Sequence, residues 1–348
     1  LRTRFESIGV YTPTAVRSTQ EVLAELDMSR TPDLQRLTGV GNRHVYDSDP
    51  EHYESSFVLA LRAIDDCLQH SDYCAGELDA IISTSITHSS GPGIISAAPS
   101  FALMLRNEIG AANALYFDVS NACAGMLTGV MLLDRMIKAG VIRNGLVVSG
   151  EQITPIAETA AREMTQPIDP QFAALTVGDA GAAVIVDDRG DDDDEIHYID
   201  LMTIAGGAEY CMGMPSDKTA GIAMYTDSRS LASELHFSQF ITRCADFLTE
   251  NERTWDGEKF DYWIHHQFSS RSIGQICRLA ERRFGTTMPP ALNVLEEYGN
   301  TASTSHFLVL HEYLAQQRIP KGSKVALMPF ASGVVSGMLA ATISRLVA

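Results

Sequence analysis

No apolar run in this chain approaches the roughly 20 residues that a transmembrane helix needs. The first residues, LRTRFESIGVYTPT, lack the long apolar core of a signal peptide. There is no CxxC pair. The six cysteines (Cys67, Cys74, Cys123, Cys211, Cys244, Cys277) are scattered, which excludes a dense disulfide framework and points to a reducing cytoplasm. Basic residues are scarce: 26 Lys and Arg stand against 44 Asp and Glu, a formal charge of -18. Neutralising nucleic-acid phosphates needs basic surface, so a general nucleic-acid binder is excluded. No Pro/Gly/Ser-rich linker interrupts the chain, so its parts are expected to pack as one body.

What is present describes a globular protein. Of 348 residues, 45% are hydrophobic and 20% charged, enough for a sizeable core. The acidic stretch GDDDDEIHY, from Gly190, suits a solvated loop between strands better than a cation site, and no metal centre is expected. Strand and helix patterns alternate, which favours an α/β architecture. ELDAIISTS ends in a β-branched run, and NALYFDVS and NGLVVSGE read as buried strands. Between them GMLTGVMLLDRMIKAG has apolar residues at helical spacing and ends on Gly140, suited to a C-cap. GDAGAAVIVDD and EIHYIDLMTIAGG read as successive antiparallel strands, and residues 229–250 as one long amphipathic helix.

The second half repeats the first. NACAGMLTGVMLLDRMIKAGVIRNGLVVSG runs turn, helix, glycine-bearing loop, strand, and GNTASTSHFLVLHEYLAQQRIPKGSKVALMPF runs the same way. Aligning Cys123 with Thr301 offsets the copies by 178 positions, close to half the chain. Duplication predicts two halves, residues 1–188 with the cysteine and residues 189–348 with a histidine and an asparagine.

Cys123 lies where a strand breaks into a helix. Unpaired N–H groups and the macrodipole at a helix start favour an anion, so the thiol is expected to ionise more readily there. Ala122, Ala124 and Gly125 leave room for a substrate. A buried structural cysteine is the competing reading. YWIHHQFSS puts paired histidines at a strand end, and EYGNTAS puts Asn300 before the second helix. Cysteine, histidine and asparagine at strand-to-helix junctions can perform acyl transfer, in which a thiolate attacks a carbonyl and donors hold the oxyanion.

At these residues the sequence resembles the thiolase superfamily, specifically β-ketoacyl-acyl-carrier-protein synthase III. NACAG resembles the family's nucleophile motif, HHQFS its His-Gln-Ala-Asn segment and YGNTAS its Gly-Asn-Thr segment. VGDAGAA resembles a structural turn of the family, and FASGVVSGMLA its C-terminal glycine-rich loop. The resemblance implies an α/β fold of duplicated βαβαβαββ halves in a five-layer αβαβα sandwich, assembled as a homodimer. It implies that Cys123 takes an acyl group from a thioester of phosphopantetheine or coenzyme A, with no permanently bound cofactor. His266, which directly precedes Gln267, and Asn300 would be a donor pair holding the carbonyl oxygen of a malonyl-type extender during decarboxylation. The backbone N–H groups of Cys123 and Ser332 would bind the oxyanion during loading.

Some features depart from the family pattern. An adenine-stacking tryptophan and an arginine are replaced by Asp33 and Leu37 in TPDLQRLTGV, with Arg36 one place off, which favours a carrier-protein donor over coenzyme A. THSSGPGIISAAPS has Ser90 and a Gly-Pro-Gly insertion where the housekeeping members have a bulky aromatic, which implies a different acyl pocket. VVSGEQITPIAETAAREMTQP also resembles olefin-pathway enzymes that join two acyl chains without decarboxylation, yet residues 88–94 lack the acid those enzymes use. Pyrone-forming relatives and acyltransferases to an alcohol or amine stay open, as do a Cys-His-Asn hydrolase and a catalytically silent subunit. Arg271, Arg278 and Arg282 lie along one face of the helix RSIGQICRLAERRFG, and Arg271 and Arg278 coincide with the family's carrier-docking positions. They form a candidate docking patch for an acidic acyl carrier protein; an ordinary solvated helix face is the alternative.

Overall fold

The structure, a computed structural model, describes residues 1–29 and 31–348. Two sheets organise it. The first contains β1 (Arg4–Tyr11), β2 (Ala80–Ser83), β3 (Leu115–Asp118), β4 (Asn144–Glu151) and β5 (Ala180–Asp187), in the order β1-β5-β4-β2-β3. The second contains β6 (Glu195–Thr203), β7 (Tyr262–His265), β8 (Ala291–Leu292), β9 (Ser323–Met328) and β10 (Val335–Ile343), in the order β6-β10-β9-β7-β8. Numbered within its own half, each sheet runs first, fifth, fourth, second, third. Each is antiparallel at one side and parallel at the other. This is a duplicated α/β sandwich.

Helices fill three layers around the sheets. α1 (Ser56–Gln69) packs its apolar face on the outside of the first sheet through Ala60, Ala63, Ile64 and Cys67. α2 (Gly125–Lys138) and α5 (Ser305–Ala315) lie between the sheets, where Leu127, Val130 and Leu133 share one core with Phe307, Val309 and Leu310. α3 (Glu234–Glu250) and α4 (Ser270–Phe284) cover the second sheet through Phe237, Phe240, Ile276 and Leu279. α1 can lie directly on the strands because Gly150 and Gly181 present no side chain to it. A Cβ at these positions would come within 2.0 Å of the Ser56 carbonyl oxygen and 2.1 Å of that of Leu59.

Three expectations from the sequence need correction. β5 and β6 follow one another in the chain but lie in different sheets; β5 pairs with β1 and β4, and β6 with β10. The helix expected over 229–250 is broken: a turn at Ser228–Leu231 ends, and Ser233 caps α3 by accepting the His236 N–H. β3 is an edge strand rather than a buried one, with Leu115 50% and Tyr116 42% exposed. The acidic stretch is a loop tied down by cations. Arg345 pairs with Asp191 and Asp194, and Arg2 with Asp192. No helix among the described residues is long and apolar enough to cross a membrane.

Candidate active site

Beyond β3 the chain forms a short 3-10 turn, Ala122–Ala124, before α2 begins. Ala122 has φ +46°, a left-handed conformation that is costly for a residue with a Cβ and a common feature of functional turns. The second half builds the same turn at Ala302–Thr304, before α5, with Ala302 at φ +54°. The two turns pack against each other. Matched turn to turn, Cys123 corresponds to Ser303, two positions away from the register read off the sequence.

Cys123 keeps a partial opening onto the central cavity, yet it packs against the buried cluster of Ala124, Ala331 and Val335. Burial raises its thiol well above the ordinary range, and Cys211 and Glu151 add to the effect. The expected easier ionisation is therefore overturned for the unliganded chain. Desolvation outweighs the field of the helix end, so the unliganded thiol keeps its proton.

His266 follows β7 and is almost fully buried. Its backbone N–H donates to the Met328 carbonyl (3.1 Å). Nδ1 meets the Ser305 hydroxyl at 2.7 Å, and that hydroxyl donates to the Ala302 carbonyl at 2.6 Å. The His306 ring stacks on His266 at 5.8 Å. Burial pushes the pKa of His266 well below the usual histidine range, with His306 adding to the effect, so the ring is neutral. Gln267 braces this corner: its amide nitrogen donates to the His265 carbonyl (2.8 Å) and its oxygen accepts the Val294 N–H (3.1 Å). Asn300 is held on both sides of its backbone, donating to Thr176 and accepting from Gly178. Its Oδ1 accepts the Ala302 N–H at 3.0 Å, so the amide's donor end, Nδ2, is left for a ligand.

One cavity of about 1020 Å³ is lined by Cys123, His266, Asn300, Ser332 and Arg271. The structure thus brings together all the residues singled out for chemistry. Arg278 and Arg282 do not line the cavity; both are exposed on α4 with Arg271, and Arg282 pairs with Glu234 at 3.3 Å. Leu37 lines the cavity, whereas Asp33 caps a short helix and pairs with Arg36 at 2.8 Å. Glu151 is a participant that sequence reasoning missed. Fully buried, it accepts Ser303 Oγ (2.5 Å), Ser149 Oγ (2.9 Å) and the N–H groups of Ile86 and Thr87. It thereby joins β4 to the Ala302–Thr304 turn. A carboxylate ending the apolar run NGLVVSGE was the available signal.

Two mirrored halves with a cysteine in the turn between a parallel-sheet edge and a central helix define a condensing enzyme of the thiolase superfamily. Residues 117–205 match the family model for 3-oxoacyl-[acyl-carrier-protein] synthase III, and residues 251–343 match the model for its C-terminal part. The chain belongs to that family and is an acyltransferase of the synthase III kind. It is 27% identical over 340 residues to the β-ketoacyl-[acyl-carrier-protein] synthase III of Deinococcus deserti, covering 94% of this chain and 87% of the relative. The corresponding enzyme of Anaplasma marginale is 25% identical over 344 residues, covering 97% and 98%. Similar solved structures include the synthase III of Aquifex aeolicus (TM-score 0.78, 20% identity, 98% and 99% covered) and OleA of Xanthomonas campestris (TM-score 0.82, 21% identity, 98% of each chain covered). At these identities the structural likeness is one of fold.

Proposed function

We propose that Cys123 accepts an acyl group from a thioester and passes it to a second, carrier-bound malonyl-type or β-ketoacyl thioester, with His266 and Asn300 as the groups that handle protons and developing charge. The observation that carries this reading is the convergence of Cys123, His266 and Asn300 on one cavity. Ile86, Ile94, Ile95, Phe172, Met214 and Met224 line the same cavity, an apolar surface suited to an acyl chain. The N–H groups of Cys123 and Ser332 have no acceptor among the described residues, which supports their use as an oxyanion hole. The two halves, residues 1–188 and 189–348, would each supply part of the site.

A carrier protein is the preferred donor. Asp33, paired with Arg36, stands where the resemblance implies an adenine-stacking tryptophan and Leu37 where it implies an arginine, and Arg271 sits at the cavity with Arg278 further along α4. A homodimer is supported by the exposed edge of β3 and by Ile94 and Ile95, 56% and 67% exposed, apolar surface that a second copy would cover. The test separates the two half-reactions. Asn300→Ala should still load Cys123 with an acyl group within about threefold of the wild-type rate. Condensation should fall by about 100-fold or more, the scale for losing one oxyanion donor. Equal loss in both steps would remove Asn300 from the second half-reaction.

A further inference from the structure

The cavity that holds Cys123 has a polar wall as well as an apolar one. Tyr46, Tyr53, Thr87, Ser89, Gln152 and Glu158 all line it. Gln152, directly after β4, is only 4% exposed. Its amide oxygen meets the Ser89 hydroxyl, and its amide nitrogen meets the Tyr53 hydroxyl at 2.8 Å. The Tyr53 ring lies edge-on to that of Tyr46 at 5.5 Å, and Tyr46 donates its hydroxyl proton to Glu158 Oε1 at 3.2 Å. On the other side, Ser89 Oγ accepts the Ser56 N–H at 2.8 Å, and the Ser56 hydroxyl donates to Thr87 Oγ1 at 2.9 Å. Thr87 Oγ1 donates to Glu151 at 3.0 Å, so the wall is tied to the carboxylate that also holds the Ala302–Thr304 turn.

This network leaves hydrogen-bonding capacity unspent. A primary amide has two N–H donors. Gln152 has one hydroxyl partner at each end of its amide, so one N–H is without an acceptor among the described residues whichever way the group is turned. Glu158 Oε2 has no donor among them either. A plain alkyl chain laid along this wall would strip water from these groups and return no hydrogen bond, which costs free energy. A keto or hydroxyl oxygen on the chain would accept the Gln152 N–H and share the Tyr53 hydroxyl. We infer that Gln152 and Tyr53 are specificity-determining residues that select an acyl chain bearing a keto or hydroxyl oxygen over a plain alkyl chain of the same length.

The inference rests on the acyl-binding role given to this cavity above and names the class of acyl group it takes. The apolar wall, with Ile156, Phe172 and Met224, would cover the methylene face of the chain while the Gln152 side reads the oxygen. Sites built to hydrogen-bond a substrate oxygen discriminate against the analogue that lacks it, because their own polar groups are then left unpaired.

Binding to the Cys123→Ala variant, in which thioesters stay intact, tests this without any turnover. The probes are pantetheine thioesters of one chain length: unsubstituted, β-keto, β-hydroxy, δ-hydroxy and terminally hydroxylated. At least one oxygenated thioester should bind about tenfold more tightly than the unsubstituted one, as measured by calorimetry. Adding Gln152→Leu or Tyr53→Phe should each bring that ratio below about threefold. Tyr53→Phe removes a single oxygen and keeps the ring against Tyr46, so it decides the matter if Gln152→Leu fails to fold. A purely structural network would lower the melting temperature without moving the ratio, and that result overturns the inference. So does an unsubstituted chain that binds as tightly as every oxygenated one. Loading of wild-type Cys123, followed by intact mass, should rank the thioesters in the same order. If none of them acylates the wild type, the proposed function fails, while the binding ratio still decides the role of Gln152 and Tyr53.

Discussion

At the scale of single residues, the site is built on neutral groups with buried neighbours. His265, His266 and His306 are all buried, and burial lowers each of them, His265 to about 3 and His306 to about 4. His306 has no hydrogen-bond partner on either ring nitrogen among the described residues; the Met328 carbonyl favours the charged ring only weakly. A histidine whose folded pKa lies below its unfolded value binds protons more readily when unfolded. Such a group leaves stability unaffected above about pH 6.5 and erodes it as pH falls from there toward the folded value. With His306 at about 4, the loss at pH 5 is about 2 kcal/mol. His306→Leu removes that liability. Its stability relative to the wild type, measured by urea unfolding, should improve by about 2 kcal/mol between pH 7.5 and pH 5. A difference that does not change with pH would mean that His306 is charged or solvated in the folded chain.

At the scale of elements, the strand-to-helix turns carry the site, and they were the most legible part of the sequence. NACAG and GNTAS marked both turns, and the apolar runs of β4, α2 and α4 announced themselves through period and length. The pairing of β5 with β4 rather than with its neighbour β6 was not legible, because alternation in a strand reports which face is buried and not which strand lies alongside. The exposure of β3 was hidden for the same reason: LYFD reads as apolar whether its cover is this chain or a second copy. Ser305 and Glu151 were overlooked because a serine or glutamate acts through partners far along the chain. On α4, Arg271 and Arg278 have no ion pair among the described residues, while Arg282 is engaged by Glu234. Docking should therefore depend mainly on the first two. Arg271→Glu with Arg278→Glu should slow acyl transfer from a carrier protein about tenfold or more at low salt and leave a small free thioester nearly unaffected, with added salt mimicking the change in the wild type. Equal loss with both donors would assign these arginines to the fold or the site.

At the scale of the whole molecule, duplication explains how one chain surrounds a thiol with groups from distant sequence. The first half contributes Cys123 from its turn, and the second contributes His266 from just after β7 and Asn300 from just before the matching turn. The central helices α2 and α5 share one core, so the two turns are fixed relative to each other by the packing of both halves. The charge of -18 disfavours general polyanions, and under the proposed function Arg271 and Arg278 on α4 would be the approach for an acidic carrier. The central claim is that this arrangement makes Cys123 the acyl acceptor. Intact mass measurement after incubation with a panel of acyl thioesters tests it most directly. The account predicts a single added acyl group on the wild type, mapped by peptide analysis to Cys123, and no adduct on a folded Cys123→Ala variant. An adduct of equal yield on that variant, or none on the wild type with any donor, would contradict it.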